Sequence, residues 1–538
     1  MKKSVILILI LASGVLSAPL MSQSPIDGPE EPEMLVPEVL LEIEDVREEQ
    51  VTAPVPVERE LPLPELSLPS PQAEAGSLSQ LPLIPFIPDV GSDLPPAGAD
   101  FFSEALVGGG VNNHLIGDIA LYKLGEGPRF SLRFAHDGTD GYSGNASGTG
   151  FFDRSDLLEG SLQGTVRGER RSWIYGFDAS YLEEELGFQG LMGSTRSVVR
   201  RSSSLSGLWR YPEEGRFDLA VEADYSRNRR LYSGSSKELE EQLFQPGITG
   251  SFRGESVLMQ LLVSLRHQSI GGTVPEESGN RAGAGVLLEA RLPFMEISGE
   301  AGIRWDFSGD LRYPFALQAD GAWRELASFS TRGGFRAEEE QWSDYWSILP
   351  FWNGASLPPL RDVWFWEGSL ELSPVPVFGV RGGWEFLYGE LVPLQSDFIP
   401  LVENGGPFGL EEREGLSLSG DAEAYWSLFP GFTLGAGWKG WFFDQPEPLL
   451  SESAFFSYLE YSYREGIVLG RAEASMDLPS DQLLPWLDLS LSWRAAEGIV
   501  MSLTGSDLLE PFLDKGRIWV KDFIREGAQL TLQLKISL

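Results

Sequence analysis

The sequence predicts an all-β protein whose bulk is one large antiparallel transmembrane β-barrel of about 22 strands, and three observations predict it. Apolar and polar residues alternate with period two in segment after segment beyond residue 100. The connections between these segments switch between tight and long along nearly the whole array. The chain also ends on an alternating strand with nothing after it, "GAQLTLQLKISL". Strict alternation puts one face against an apolar medium and the other against a polar one.

The first element is an export signal. "MKKSVILILILASGVLSAPL" places Lys2 and Lys3 before an apolar run from Val5 to Leu16 and then small residues, the layout of a signal peptide over residues 1–17. The run is shorter than the roughly 20 residues a spanning helix needs. Residues 18–100 change character abruptly. Proline and carboxylates dominate, Arg47 and Arg59 alone oppose them from Gln23 onward, and Phe86 is the sole aromatic there. Such a segment buries too little apolar surface to offset its ordering entropy, so a disordered, acidic, Pro-rich tail is expected. A periplasmic protein binding residues 23–100 is the partner such a tail would recruit.

Residues 101–538 carry the array. "RFDLAVEADYS" puts Phe217, Leu219, Val221, Ala223 and Tyr225 on one face and Asp218, Glu222 and Asp224 on the other. "MEISGEAGIRWDF" separates Met295, Ile297, Ala301, Ile303, Trp305 and Phe307 from Glu296, Glu300, Arg304 and Asp306. Tight connections such as "PEEG" at Pro212, "FPG" at Phe429 and "AAEG" at Ala495 alternate with long ones near 137–155, 183–196, 228–245, 268–280, 337–362, 389–412 and 506–526. A soluble sandwich has no reason to keep its long loops on one parity. An outer-membrane barrel does, with short periplasmic turns and long extracellular loops. Segments of about 9 to 12 residues fit a tilted bilayer crossing. Leu530, Leu532, Leu534, Ile536 and Leu538 then form the lipid face of a final strand that closes the barrel against the first. This strand is also expected to be the signal read by the outer-membrane assembly machinery.

Composition narrows function. Lys and Arg number 41 against 79 Asp and Glu, a net charge of -38, which argues against a nucleic-acid partner. The absence of cysteine excludes disulfides and thiolate metal sites. No phosphate loop, zinc-protease pair or nucleophile elbow is present, so no enzyme, cofactor or metal site is expected. His114, His136 and His267 read as ordinary loop histidines. The stretch "EEEQWSDYWSILPFWNGASLPPL" is specialised. Trp342, Tyr345, Trp346, Phe351 and Trp352 are too many aromatics for an inert polar loop, and they suit either a ligand-capture surface or an inward-folded constriction.

A barrel of this size resembles the barrel domain of TonB-dependent receptors. "GIVMSLTGSDLLEPF" before the last strand is similar to the end of that family, with Asp507, Leu508 and Leu509 where an Asn-Leu-Phe triplet is common. Gly516 and Arg517 resemble the family's Gly-Arg turn but stand about a dozen residues early. The resemblance implies an integral protein of the outer membrane of a diderm bacterium, surrounded by outer-membrane lipid and carrying small solutes as a channel or transporter. It departs from the family in one respect: only the Pro-rich tail stands where a folded plug would precede the barrel. The competing expectation is a non-transporting scaffold or adhesin that displays its loops and recruits a periplasmic partner through the tail.

Overall fold

The computed structural model describes residues 101–538, apart from 125–126, 143–149, 168–171, 192–194, 213–215, 235, 237, 274, 293, 324–325, 340, 342, 344–359, 392–412, 444–452, 465, 479–483, 514–516, 521–522 and 525. The expected signal peptide and tail lie outside the described residues. Eleven strands open the barrel: β1 Phe101–Gly110, β2 Leu115–Lys123, β3 Arg129–Thr139, β4 Asp153–Arg167, β5 Ser172–Gly187, β6 Ser197–Pro212, β7 Phe217–Tyr232, β8 Glu238–Arg253, β9 Val257–Gly272, β10 Glu277–Arg291 and β11 Met295–Asp306. The twelfth, β12, is interrupted at Tyr313 and Pro314, and its two parts, Leu311–Arg312 and Phe315–Trp323, both pair with β11. Ten more complete the wall: β13 Ala327–Glu339, β14 Leu360–Val375, β15 Phe378–Leu391, β16 Arg413–Phe429, β17 Phe432–Phe443, β18 Ser453–Tyr463, β19 Val468–Leu478, β20 Trp486–Ala496, β21 Ile499–Ser506 and β22 Gln529–Ser537.

Every strand pairs antiparallel with its sequence neighbours, and β22 pairs with β1 to close the cylinder. The closing ladder runs from Glu104 opposite Ser537 to Gly110 opposite Thr531. Backbone bonds between Ser103 and Leu538 extend it in both directions. Closure removes both edges, so no row of unpaired backbone groups faces an apolar medium. Glycine is required at the top of this seam, because a Cβ on Gly110 would stand 2.5 Å from the Leu530 carbonyl oxygen.

The parity expected of the connections holds. Those of 124–128, 168–171, 213–216, 254–256, 292–294, 324–326, 376–377, 430–431, 464–467 and 497–498 share one end. The longest, 340–359, 392–412 and 507–528, share the other. A positive φ of 70° at Gly498 makes the tight turn between β20 and β21, where a side chain would be strained. The strands differ from expectation in length. β5 to β9 each have 16 residues, so the connections expected over 228–245 and 268–280 shrink to 233–237 and 273–276. At 229–230 and 238–241 the extra residues carry charge on both faces, which hid them as strand.

Faces sort as the alternation requires. On β22, Leu530 and Leu532 are exposed outward and Leu534 and Ile536 half-exposed, while Thr531 and Gln533 between them are 3% and 4% exposed on the inner side. Phe217, Leu219, Val221 and Tyr225 are likewise exposed outward on β7. A continuous apolar outer surface of this kind is stable only in lipid. Folded protein in detergent is therefore expected to migrate differently from boiled protein on a gel. Identical migration of the two would contradict a closed barrel.

Candidate functional site

The outer face of the wall shows where lipid stops. At register-matched positions Leu205, Tyr225 and Phe244 are exposed apolar outward residues of β6, β7 and β8. Immediately beyond them, toward the long-loop end, the same face turns ionic. Arg201 binds Glu183 at 3.0 Å, Arg227 binds Glu240 at 2.8 Å, and Arg229 binds Glu238. Half-exposed pairs like these contribute roughly 0–1 kcal/mol each. Their value is positional, since charges this dense belong outside hydrocarbon.

The inner face at the same height is the candidate site. Lower in the lumen, Glu222 and Asp224 of β7 are inward yet exposed, so water reaches the wall there. Higher up, inward residues are buried: Asn228, Arg230 and Tyr232 of β7, Leu239, Glu241 and Leu243 of β8, and Arg266, Gln268 and Ile270 of β9. What covers them includes the end of β13. Arg266 donates through Nη1 to the Glu339 backbone carbonyl at 3.3 Å and to its carboxylate at 3.4 Å, although three strands separate β9 from β13. The Arg304 guanidinium of β11 lies between them, 3.9 Å from the Glu339 carboxylate and bonded to Ser264 at 3.2 Å. The Glu241 carboxylate, fully buried, accepts from the Gln268 amide at 2.7 Å and from the backbone N–H of Ser343 at 3.0 Å. Ser343 itself is only 6% exposed. Buried carboxylates persist where donors satisfy them, and these two are so satisfied. Glu339 and Ser343 are thus both held to the inner wall of β8 and β9.

These contacts bear on the aromatic loop. Trp342, Tyr345, Trp346, Phe351 and Trp352 lie outside the described residues, while Ser343 among them is anchored to the lumen wall. Of the residues expected to form the insertion signal, Leu530, Leu532, Leu534 and Ile536 take the outward face of β22, and Leu538 stands just beyond its end. The histidines do not meet. His114 points inward and bridges Thr531 of β22 to Asp137 of β3, each at 2.8 Å, whereas His136 points outward to Asp156 at 2.8 Å. His267 bonds Asn280 at 2.8 Å. Among the described residues no group of three or more His, Asp or Glu side chains is arranged to hold a metal ion.

Two other inner features escaped the sequence reading. Asp507, at φ 45°, binds the Arg517 guanidinium at 2.7 Å, and both side chains are nearly sealed from solvent. Arg517 also donates to the carbonyls of Leu484 and Pro485 and lies 4.2 Å over the Trp486 ring. In the same connection, the Gln529 amide donates to the Glu526 carboxylate. The Asp507 and Arg517 positions stood out in the sequence as separate weak motifs, and nothing there joined them.

No protein-family profile matches the chain, and no curated protein matches it. Solved structures do match. The FrpB iron transporter of Neisseria meningitidis superposes with a TM-score of 0.62 at 9% identity, covering 82% of this chain and 81% of that one. The siderophore receptor PirA of Pseudomonas aeruginosa gives 0.61 at 9% identity, covering 81% and 80%. The copper transporter OprC gives 0.62 at 10% identity, covering 81% and 80%. At such identity the likeness is one of fold, and the fold is a closed barrel of 22 strands built like the barrel of TonB-dependent receptors.

Proposed function

We propose that this protein is an integral outer-membrane barrel that carries small solutes, as a channel or as a transporter resembling TonB-dependent receptors. The observation that supports it most is the lumen itself. Its wall is polar and exposed at Glu222 and Asp224 of β7, and higher on the inner face Arg266 binds Glu339 and Glu241 binds Ser343. A polar wall crossed by a few charged contacts is suited to passage governed by those side chains. The iron, siderophore and copper proteins that share the fold set the precedent for solute transport, without naming the solute here. On this reading residues 23–100 extend into the periplasm and recruit a partner, and no folded plug fills the lumen.

The anchoring of Ser343 to Glu241 also favours a second reading, a closed scaffold that displays its loops. Single-channel conductance separates them. The mature protein and a form lacking residues 23–100 are each placed in planar bilayers. Transport predicts steady ionic current in at least one of them. Silence in both, with intact heat-modifiability, would favour the scaffold.

A further inference from the structure

Two arginines face each other on the lipid side of the wall. Arg201 of β6 stands directly opposite Arg229 of β7 in the ladder, and Arg227, two residues along the same outward face, stands opposite Ser203. Directly opposed residues hold their Cβ atoms about 5 Å apart, and like charges so placed destabilise a sheet. No carboxylate separates the two. Glu183 lies on β5, beyond Arg201, and Glu238 and Glu240 lie on β8, beyond Arg227 and Arg229, so the middle of the cluster is cationic.

The bonding within the cluster is one-sided. Arg201 donates through Nε at 3.0 Å and Nη2 at 3.2 Å to Glu183. Arg227 donates through Nε at 3.0 Å and Nη2 at 2.8 Å to Glu240, and Arg229 through Nε at 2.8 Å and through Nη2 to Glu238. A guanidinium carries five N–H donors in a fixed fork. Among the described residues, Nη1 of these three arginines donates to no partner. The carboxylates are better served, because Glu183 also accepts from the Tyr181 hydroxyl and Glu240 from the Gln242 amide, each at 2.6 Å. Solvent reaches the cations more than the anions: the Arg201 and Arg227 side chains are 39% and 42% exposed, against 16% for Glu240.

The setting defines the ligand. Toward the tight turns the same face carries Leu205, Trp209, Val221 and Tyr225, all exposed outward. A lipid whose acyl chains lie along that wall brings its headgroup to the arginines. Phosphate is the group that guanidinium forks grip most firmly, and its charge offsets the repulsion of the facing pair.

We propose that Arg201, Arg227 and Arg229 form a site on the outer wall for the phosphate of a phosphorylated lipid in the surrounding leaflet, with its acyl chains against Leu205 and Tyr225. The glutamates engage the Nε edge of each fork and leave Nη1 for the lipid. Free phosphate offers the same oxygens but nothing to the apolar wall beside them, so the lipid is the ligand that matches both surfaces. The site rests on the barrel standing in lipid and not on what its lumen carries.

Native mass spectrometry of the full-length barrel in detergent tests it, with phosphatidic acid as the probe and zwitterionic phosphatidylcholine as the reference. The wild type is expected to prefer phosphatidic acid, and equimolar inorganic phosphate is expected not to displace it. The double variant Arg201→Gln, Arg229→Gln, whose amides can still donate to the glutamates, is expected to bind phosphatidic acid about thirtyfold more weakly. Arg227→Gln, which leaves the facing pair in place, is expected to lose about fivefold. Arg133→Gln removes the same charge beside Asp118 on the lumen wall and is expected to bind as the wild type does. Heat-modifiability confirms that each variant folds. Equal binding of the two lipids, displacement by inorganic phosphate, or an unchanged preference in the Arg201, Arg229 and Arg227 variants would overturn the proposal, as would an equal loss in Arg133→Gln.

Discussion

Replacing Leu534 by Arg is expected to cost the barrel about 2–4 kcal/mol, read as a lowered urea midpoint for unfolding from lipid vesicles. Leu534 is one of the four outward positions of β22, and it pairs with Val107 on one side and Met501 on the other. An arginine there faces hydrocarbon at the depth where no water or headgroup can reach it. Its neighbour Lys535 faces the lumen and binds Glu104 at 3.1 Å, so Lys535→Arg is expected to change stability by no more than about 0.5 kcal/mol. Gln533 is less suitable as the inner control, because a Cβ on Gly108 opposite would already touch it at 2.8 Å. Similar losses at Leu534 and Lys535 would mean that the two faces of the closing strand have been exchanged.

Breaking the pair between Asp507 and Arg517 is expected to cost about 3–5 kcal/mol of local stability in the connection before β22. Attraction in water is not the source of this figure, since a hydrogen-bonded pair so enclosed owes much to the desolvation each partner has already undergone. Asp507→Asn keeps the left-handed backbone tolerable and the shape unchanged, yet leaves the Arg517 charge buried without its carboxylate. Arg517→Leu leaves the reverse. Combining the two removes both charges, so the double variant is expected to be more stable than the sum of the single losses. Proteolytic cleavage rates within residues 507–528 report it. Strict additivity would show that the pair is not coupled.

Much of the fold was legible because lipid imposes a simple rule on sequence. Phe217 to Tyr225 alternates with the single exception of Ala220, and Leu530 to Ile536 alternates throughout, and each such run is part of a strand of the barrel. The rule fails where lipid ends. Arg227 and Arg229 continue the outward face of β7 but carry charge like the inner face, so the alternation vanishes while the backbone ladder goes on to Tyr232. The site was less legible still. Arg266 and Glu339 meet only because the barrel is curved, and period-two patterning carries no record of which inward residues face one another across a mouth. The aromatic loop was visible by composition, and only its anchor at Ser343 is placed by contact.

The unequal heights of the strands give the barrel a waterline with a tilt. On the flank of β5 to β9, 16-residue strands rise roughly 50 Å along their length at about 3.3 Å per residue. On the flank of β18 to β21, strands of 8 to 11 residues rise only about half to two-thirds as far. The ionic belt of Arg201, Arg227 and Arg229 keeps the tall flank from sinking, like a float collar. The hydrogen-bonded rim therefore slopes down toward the closing seam. A molecule drifting in the plane of the membrane surface meets a parapet on one side and a low sill on the other, and the sill is the side where the last strand closes on the first.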